Sequence, residues 1–325
     1  MNVQQLGPRC WAALPAFDPA AGTTVRAPLG SGPGWWVGAP SALRDEATGQ
    51  TYLYYRYRKP RELGRGVECR IAASADGVHF EDIWSAGKAD LNTQSMEKAG
   101  LFKLDDRWLL YLSFVGEDGR WRIELAEADR PEAFDTRTLR PVLTPDDCAA
   151  EGVKDPAVYA VDGRLYMIVS YAPRPPQTPA AEAMHGTGDV YNTGLLKSHT
   201  GLATSNDGRS WQWVGDILTP PDSGWDSYCT RLGSIVRCGG LWLGFYDGSA
   251  SVAENYEERA GLCASLDLRS WQRLTPAGPW VLSPHASGSV RYVEAVPDGP
   301  DVVLYYEFAL PDGSHDLRVQ RLPRG

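Results

Sequence analysis

A short motif recurs along the chain and constrains its fold more than any other sequence feature. Its shared pattern is two small residues, Ser-x-Asp, a Gly in two of the copies, and an aromatic residue four positions after the Asp. Copies of it occupy residues 70–80, 201–211 and 261–271, with a weaker one at 123–134. Apolar alternation predicts a strand, and Asp-Gly predicts a tight turn before the returning strand. Each copy therefore predicts a β-hairpin, and Asp76, Asp207 and Asp267 are interpreted as turn formers rather than catalytic residues.

A second pattern precedes the hairpin motif, and it divides the chain into repeated units. It consists of a short strand, a turn with Asp or Gly, and an apolar–aromatic strand, most clearly in VKDPAVYAVDGRLYMIVSY at 153–171. Five copies define units that start near residues 36, 94, 151, 228 and 288. The fifth unit ends in LRVQRL (317–322) without the hairpin, and we expect an N-terminal strand, Arg9–Leu14, to complete it.

Repetition of this kind favours one architecture. Four-stranded sheets repeated around an axis leave only short, protected edges, which is the β-propeller solution. We predict an all-β fold, a five-bladed β-propeller that forms a single domain over residues 1–325. A pair of β-sandwiches would not generate five copies of one two-part unit. The long, Pro-rich insertion at 172–200 is interpreted as a lid over the axis, with a mobile surface loop as the alternative.

Composition and charge exclude several classes of function. The net charge is −9 and no run of Lys or Arg is present, so we expect no nucleic-acid partner. No apolar stretch approaches the ~20 residues that span a bilayer. The N-terminus lacks a basic segment followed by an apolar run, which predicts a cytoplasmic protein. The six cysteines are scattered, without spacing typical of zinc sites, and we expect neither a metal nor a cofactor.

Particular phrases resemble a known group of enzymes. KDPAVY with DGRLY, and SNDGRSW, resemble the five-bladed glycosidases of glycoside hydrolase families 32, 43, 62 and 117 and the family 130 phosphorylases. The resemblance extends over nearly the whole chain at the level of fold. In those hydrolases, acidic residues of the innermost strands point into an axial funnel. The resemblance implies Asp155 as one such residue and Glu97, in MEKAGLF, as the candidate general acid.

The chain departs from these families at the position of the catalytic base. The resembled enzymes carry Asp-Pro in the first blade, whereas here Ala39 precedes Pro40. Glycoside cleavage uses two carboxyl groups, one to protonate the leaving oxygen and one to activate water or attack. Either the base comes from elsewhere or the reaction is not plain hydrolysis. Candidates for a replacement are Glu294, Asp189, His185 and Asp45.

Cationic residues accompany these carboxylates. By the sequence alignment, the axial register contains Ala39, Lys98, Asp155, Arg231 and Arg291, flanked by Glu97 and Lys154. Guanidinium groups bind carboxylate or phosphate through two points, which is compatible with an anionic ligand. Trp36 and Tyr292 either stack on a sugar or seal the interfaces between blades. The expected substrate-binding residues are Lys98, Lys154, Arg231, Arg291, Tyr292, Trp36, His185 and Asp189.

These features predict a glycoside hydrolase-like enzyme. It would cleave a small soluble glycoside, an oligosaccharide or a glycosylated metabolite, by carboxylate acid/base catalysis in the axial funnel, with Glu97, Asp155 and Glu294 as catalytic residues. Two alternatives remain open. One is a phosphorylase or a divergent non-hydrolytic enzyme on the same scaffold. The other is a non-catalytic carbohydrate-binding propeller, which the missing acidic residue of the first blade favours.

Overall fold

The computed structural model describes residues 17–177, 179–299 and 301–323, and it is built almost entirely of β-strands. The strands are β1 (Thr23–Arg26), β2 (Trp36–Asp45), β3 (Gln50–Arg58), β4 (Gly66–Ser74), β5 (Glu81–Gly87), β6 (Gly100–Leu104), β7 (Arg107–Val115), β8 (Trp121–Ala128), β9 (Arg140–Leu143), β10 (Ala150–Val161), β11 (Arg164–Pro173), β12 (His199–Ser205), β13 (Gln212–Leu218), β14 (Cys229–Cys238), β15 (Leu241–Ser249), β16 (Arg259–Ser265), β17 (Gln272–Arg273), β18 (Val290–Asp298), β19 (Asp301–Ala309) and β20 (His315–Pro323). This confirms the prediction of an all-β fold.

Helical structure is limited to short segments. The helix α1 (Ala181–His185) lies in the insertion. Single 3-10 turns occur at Pro19–Ala21, Arg61–Leu63, Thr136–Thr138, Asp146–Cys148 and Val190–Asn192. In the described part of the chain, no helix is long and apolar enough to cross a membrane.

Antiparallel pairing groups the strands in fours, and the groups follow the sequence units. Unit 1 is β2–β5, unit 2 is β6–β9, unit 3 is β10–β13 and unit 4 is β14–β17, while unit 5 combines β18–β20 with β1. Single parallel pairs, Arg259 with Val290 and Trp36 with His315, join units 4, 5 and 1 into a twelve-stranded sheet. The first strands β2, β6, β10, β14 and β18 contact one another in chain order, and β18 also contacts β2.

The outer strand of unit 5 comes from the N-terminal part of the chain, as expected, but from a later segment. The expected strand Arg9–Leu14 lies outside the described residues. Instead β1 pairs with β20, and Thr24 Oγ1 donates to Asp316 Oδ2 at 2.6 Å. Val25 is buried between β20 and its neighbours in a cluster that includes Leu317 and Val319. Apolar burial and a short ladder therefore join the two ends of the described chain.

The hairpin motif has a local and a long-range function. Asp207 Oδ1 accepts hydrogen bonds from the backbone N–H groups of Arg209 and Ser210, both at 2.8 Å, which is the role of a turn former. Gly208 follows with φ +71°, a conformation that glycine adopts without steric cost. Tyr111 of unit 2 donates its hydroxyl to the Gly208 carbonyl oxygen at 2.7 Å. Tyr305 of unit 5 makes the same contact with Gly77 of unit 1, so the turns also connect neighbouring units.

A β-bulge in the first strands decides which residues reach the axis. The register shifts within β2, β10, β14 and β18 at corresponding places, so that an extra residue is accommodated in each. Ala39, Asp155 and Tyr292 occupy the bulge with φ of 51°, 56° and 50°. The preceding residues pair with the second strands: Gly38 with Arg56, Lys154 with Ser170, Arg231 with Asp247, and Arg291 with Glu307.

These pairings correct the sequence alignment by one residue in two units. Arg231 and Arg291 correspond to Gly38 and Lys154, not to Ala39 and Asp155. The residue that corresponds to Asp155 in unit 5 is Tyr292. The bulge is the physical reason, because an extra residue changes the register without leaving a gap in the sequence.

Candidate active site

Charged side chains from the five units meet where the first strands converge. Each of them is at most 3 % exposed. Buried charges persist when they are paired, and every member of this group has an oppositely charged neighbour. We call this group the axial cluster; its members are the carboxylates Glu97, Asp155, Asp247, Glu258 and Glu307 and the cations Arg56, Arg58, Lys154, Arg231 and Arg291.

Glu97 is held as a carboxylate by arginines of unit 1. Arg56 Nε donates to Glu97 Oε2 at 2.7 Å, and Arg58 Nη1 donates to Glu97 Oε1 at 3.2 Å. Burial would raise the pKa of Glu97, but the charges of Arg56, Lys154 and Arg58 outweigh burial and lower the pKa. A general acid must carry a proton at its working pH. These surroundings therefore do not fit the role of general acid that the sequence suggested for Glu97.

Arg291 links two further carboxylates. Its Nε donates to Glu307 Oε2 at 2.8 Å and its Nη1 donates to Glu258 Oε2 at 2.7 Å. Burial would raise the pKa of Glu258, but Arg231 and Arg291 outweigh burial and lower it to about 2. Glu307 also occupies the space beside Gly38, where a Cβ atom would lie 1.9 Å from Glu307 Cγ. Glycine at position 38 thus lets Glu307 enter the cluster.

Asp247 differs from the other carboxylates of the cluster. Arg231 donates to Asp247 Oδ2 from Nη2 at 2.9 Å and from Nε at 3.1 Å. Burial raises the pKa of Asp247 to about 6; Arg231 opposes this shift and the nearby Glu258 adds to it. Asp247 therefore exchanges its proton near neutral pH.

The phenol of Tyr292 lies in the middle of the cluster. Guanidinium carbons of Arg231, Arg291 and Arg56 lie 4.1, 5.2 and 5.7 Å from the centre of its ring. Its hydroxyl donates to Glu97 Oε2 at 3.4 Å. Burial raises the pKa of Tyr292 well above its ordinary value, so the phenol is neutral at physiological pH. The ring therefore lies beside charged side chains of units 1, 4 and 5.

Asp155 has one oxygen in the cluster and one without a partner. Its Oδ2 lies 3.5 Å from Arg231 Nη1 and 3.6 Å from Lys154 Nζ. Its Oδ1 has no hydrogen-bond partner among the described residues, although the side chain is 1 % exposed. A buried polar atom without a partner requires an explanation, and a ligand or a water molecule provides one.

Trp36 stands among cations rather than on an open surface. Its ring centre lies 4.6 Å from the Arg291 guanidinium carbon and 4.9 Å from that of Arg58. The ring of His315 stacks on it with 4.8 Å between ring centres. Trp36 is 5 % exposed, so the sugar platform proposed from the sequence is closed in this structure.

Lys98 and Glu294 form a separate pair. Lys98 Nζ donates to Glu294 Oε2 at 2.6 Å and also to the Pro40 carbonyl oxygen. Burial raises the pKa of Glu294, partly opposed by Lys98. Glu294 lines a cavity of about 460 Å³ formed by the parts of the first strands that follow the bulges, such as Leu43 and Val236. Neither residue makes a hydrogen bond or an ion pair with the axial cluster in the described part of the chain.

The insertion at 172–200 packs over the axial cluster. Tyr191 is 2 % exposed, its hydroxyl donates to the Gly152 carbonyl oxygen at 2.9 Å, and its ring centre lies 4.7 Å from Lys154 Nζ. Tyr228 donates its hydroxyl to the Tyr191 carbonyl oxygen at 2.9 Å. The lid interpretation fits this packing, and we call residues 172–200 the lid.

Two lid residues predicted to bind substrate anchor the lid instead. Asp189 accepts from Trp121 Nε1 at 3.2 Å and from the Tyr256 hydroxyl, and it lies 3.4 Å from Arg65 Nη1. His185 Nε2 lies 3.0 Å from Glu151 Oε2. The carboxylate of Asp189 and the Nε2 atom of His185 therefore contact other protein groups, whereas His185 Nδ1 is buried without a hydrogen-bond partner among the described residues.

Sequence reasoning did not find half of the cluster. Arg56, Asp247 and Glu307 lie on the second strands, and each follows a pair of aromatic residues in an otherwise apolar strand, as Tyr54 and Tyr55 precede Arg56. A charged residue in an otherwise apolar strand that is predicted to be buried is the sequence signal that could have identified these three residues. Arg58 and Glu258, which precedes β16, have no comparable signal. Among the described residues, no group of three or more His, Cys, Asp or Glu is arranged to hold a metal ion.

Comparison with known proteins places the chain by its fold. No protein-family model and no curated protein matches the sequence. A glycosyl hydrolase from Bacteroides ovatus superposes with a TM-score of 0.65 at 15% identity, over 95% of this chain and 94% of that chain. The GH43_1 enzyme from Xanthomonas citri complexed with xylotriose gives 0.63 at 15% identity, over 92% and 90%.

A thermostable family-43 glycoside hydrolase gives a TM-score of 0.62 at 15% identity, over 92% of this chain and 91% of that chain. Likeness at this level of identity shows a shared fold. The protein therefore has the fold of the family-43 glycoside hydrolases, and the resemblance seen in the sequence is confirmed.

Proposed function

We propose that the protein is a single-domain, five-bladed β-propeller and a glycosidase-type enzyme that cleaves a small glycoside at the axial cluster. Five groups of four strands and the ring of contacts between first strands support the propeller. The shared fold supports the enzyme class. The Xanthomonas citri enzyme is described with xylotriose, which supports a carbohydrate ligand of oligosaccharide size.

The observation that carries the proposal is the unpartnered carboxylate oxygen of Asp155. It is buried, it belongs to a residue of the bulge, and it lies in a group of paired charges. Such an oxygen can give a proton to a glycosidic oxygen or take one from an attacking water molecule. Asp247 holds Arg231 beside Asp155 and exchanges its own proton near neutral pH, which tunes the charge around Asp155. Glu294, bound to Lys98, takes no part in this proposal.

A carbohydrate-binding protein without catalysis is the second candidate. Ala39 occupies the bulge of unit 1, and its N–H donates to Glu307 Oε1 at 2.9 Å. Unit 1 therefore contributes no acidic side chain at the bulge position where the resembled enzymes carry their base. Tight sugar binding without product over long incubation would favour this candidate.

The experiment compares two matched substitutions. Asp155→Asn keeps the shape of the side chain, and Asn tolerates the left-handed backbone. We expect turnover of a panel of aryl glycosides and oligosaccharides to fall about 10²-fold or more, with the unfolding midpoint little changed. Asp162→Asn, an exposed turn residue with φ 50°, is the control and should keep full activity. Unchanged turnover in Asp155→Asn would contradict the proposal, and strict dependence on inorganic phosphate would show a phosphorylase.

A further inference from the structure

We propose that Tyr292 is the nucleophile of this site, that Glu97 accepts its proton, and that Arg56 and Arg291 hold a carboxylate carried on the anomeric carbon of the substrate. The inference rests on the proposed glycosidase function and adds the nucleophile and the substrate class. That class is a glycoside of a sugar acid whose carboxylate adjoins the bond to be cleaved.

The backbone of unit 5 directs Tyr292 into the axis. Tyr292 occupies the bulge with φ 50°, as Ala39 and Asp155 do in units 1 and 3. A bulky residue rarely adopts this conformation, and such strain concentrates at functional sites. The bulge re-aims the ring toward the charges of the other units. The strained position therefore carries the largest side chain of the three, at the centre of the cluster.

Glu97 is placed and charged to accept the phenol proton. The Tyr292 hydroxyl donates to Glu97 Oε2 at 3.4 Å. Arg56 and Arg58 keep Glu97 ionised, so it is an acceptor at neutral pH. Tyrosine serves as nucleophile in a minority of glycosidases, and a weak nucleophile requires an adjacent base. The phenol proton moves to Glu97 while the phenol oxygen bonds to carbon, because formation of that bond makes the proton strongly acidic.

Two arginines beside Tyr292 have an unused hydrogen-bond donor. Nη2 of Arg56 and Nη2 of Arg291 have no hydrogen-bond partner among the described residues, and the two side chains are 0 % and 1 % exposed. Both guanidinium groups flank the ring of Tyr292, at 5.7 and 5.2 Å from its centre. Buried donors without partners are unfavourable, and a carboxylate would satisfy them. An anion held there lies beside the ring of Tyr292, so a carboxylate on the anomeric carbon would bring that carbon toward the attacking oxygen.

The charge of such a substrate explains why a phenol suits this site. A carboxylate nucleophile would approach a carbon that carries another carboxylate, and two like charges at that distance repel each other. A neutral phenol avoids this repulsion until its proton has been transferred. Ala39, in place of the acidic residue of the resembled enzymes, removes a further negative charge from the same region.

The proposed reaction has two steps. Tyr292 Oη bonds to the anomeric carbon, the glycosidic C–O bond breaks, the leaving oxygen takes a proton from Asp155, and Glu97 takes the phenol proton. Water then bonds to the same carbon and gives a proton to Asp155, the bond to Tyr292 Oη breaks, and Glu97 returns its proton to the phenol. The products are an alcohol and a sugar acid with retained configuration. The cluster is closed in this structure, so the substrate enters after the lid moves.

The first test compares two fluorogenic substrates on the full-length protein. One is the methylumbelliferyl glycoside of a sugar acid with its carboxylate on the anomeric carbon, and the other is the matching neutral sugar without that carboxylate. We expect the wild type to prefer the acid about 100-fold or more in kcat/KM, because the neutral sugar leaves Nη2 of Arg56 and Nη2 of Arg291 without an acceptor. Tyr292→Phe should lose about 10³-fold or more in kcat.

The second test identifies the nucleophile directly. A fluorinated glycosyl fluoride of the same sugar acid forms a slowly hydrolysed covalent adduct, which intact mass and peptide mapping locate. We expect the label on Tyr292 and none in Tyr292→Phe. Tyr166→Phe, a partly buried tyrosine of β11 outside the cluster, is the control and should label as the wild type does. Thermal unfolding of both variants shows whether the fold is retained.

The outcomes separate this inference from the proposed function. If the wild type cleaves neutral glycosides equally well, or if Tyr292→Phe keeps its turnover, the glycosidase function stands and the inference fails. A label on Asp155 or Asp247 likewise overturns the role of Tyr292. If the wild type cleaves neither substrate nor any glycoside of the wider panel, the proposed function fails, and the inference fails with it.

Discussion

The carboxylates of the axial cluster are stable because each has a cationic partner at short range. Glu258 illustrates this, because it connects Arg231, at 3.3 Å, with Arg291, at 2.7 Å, with almost no exposure to water. Removing one partner from a buried ion pair leaves an uncompensated charge, which is far more costly than the pair itself is favourable. Local stability and the chemistry of the site therefore depend on the same contacts.

Glu258→Gln should be strongly destabilising for this reason. We expect the free energy of unfolding to fall by about 3–5 kcal/mol, since Arg231 and Arg291 each lose a charged partner. Glu254→Gln is the matched control, because Glu254 forms a more exposed ion pair with Arg259. That control should cost less than about 1 kcal/mol. Urea-induced unfolding of both variants measures the difference, and equal losses would contradict the prediction.

Asp247 should give the protein a particular pH dependence. Its pKa is raised to about 6, so between pH ~4, where an unfolded Asp titrates, and pH 6 the folded protein binds a proton that the unfolded chain does not. Stability from this group therefore falls as the pH rises through that window and stays low above it. Glu258, with its pKa lowered to about 2, acts oppositely, and its contribution is lost as the pH falls toward 2.

Asp247→Asn removes the titrating carboxyl group and so isolates the pH dependence that Asp247 contributes. Relative to the variant, the wild type should lose stability between pH 4 and pH 6, and the difference should level off above pH 6. Unfolding free energies measured in urea at several pH values test this. Asp162→Asn, on an exposed turn, should follow the wild type at every pH. Parallel curves for wild type and Asp247→Asn would rule out a raised pKa at this residue.

At the scale of elements, the lid is held by polar contacts of Asp189, His185 and Tyr191 and by a small apolar cluster that includes Met184 and Val190. Asp189 connects it to Trp121, Arg65 and Tyr256, whereas α1 exposes most of its side chains. An element fixed by a small number of local contacts opens more readily than the paired strands beneath it. The lid is thus the part of the described chain most suited to control entry to the cluster.

Asp189→Ala should release the lid. We expect cleavage within residues 172–200 by a nonspecific protease to become roughly ten times faster, because local opening costs less once the anchor is lost. Glu182→Gln, on the exposed face of α1, should leave the rate unchanged. Limited proteolysis followed by mass spectrometry measures both rates. An unchanged rate in Asp189→Ala would show that other contacts close the lid.

At the scale of the whole molecule, β1 joins the beginning of the described chain to its end. Val25 is the buried residue of this short strand, and Thr23 on the same strand is exposed. Only three residues of β1 pair with β20, so the burial of Val25 is a large part of what holds β1 in unit 5. The attachment of β1 to unit 5 therefore depends on a small apolar contact.

Val25→Asp should weaken the attachment of β1 to β20. Burying an unpaired charge in this cluster is expected to lower the free energy of unfolding by about 3 kcal/mol or more. Thr23→Asp, with the same new charge on the exposed side of the strand, should change it by less than about 0.5 kcal/mol. Hydrogen exchange of the β20 amides should accelerate in the first variant only. Equal effects of the two substitutions would show that β1 is dispensable.

The sequence predicted local features of the fold better than contacts between residues that are distant in the chain. The hairpins at Asp76, Asp207 and Asp267 follow from residues within one turn, and Asp155 was found from its phrase and its place in a repeat. Arg56, Asp247 and Glu307 were missed, although each is a charge in an apolar–aromatic strand. Arg231 and Arg291 were assigned to the wrong register, because a bulge adds a residue that only strand pairing reveals.

The sequence by itself determined the all-β class, the repeated units and the turns, because turn chemistry and apolar alternation act over a few neighbouring residues. The tertiary structure alone decided which charges meet. Tyr292 and Glu97 are separated by 195 positions in the chain, yet their oxygens lie 3.4 Å apart. No local pattern encodes such a contact, since it depends on how the units pack against one another and on the register that each bulge sets.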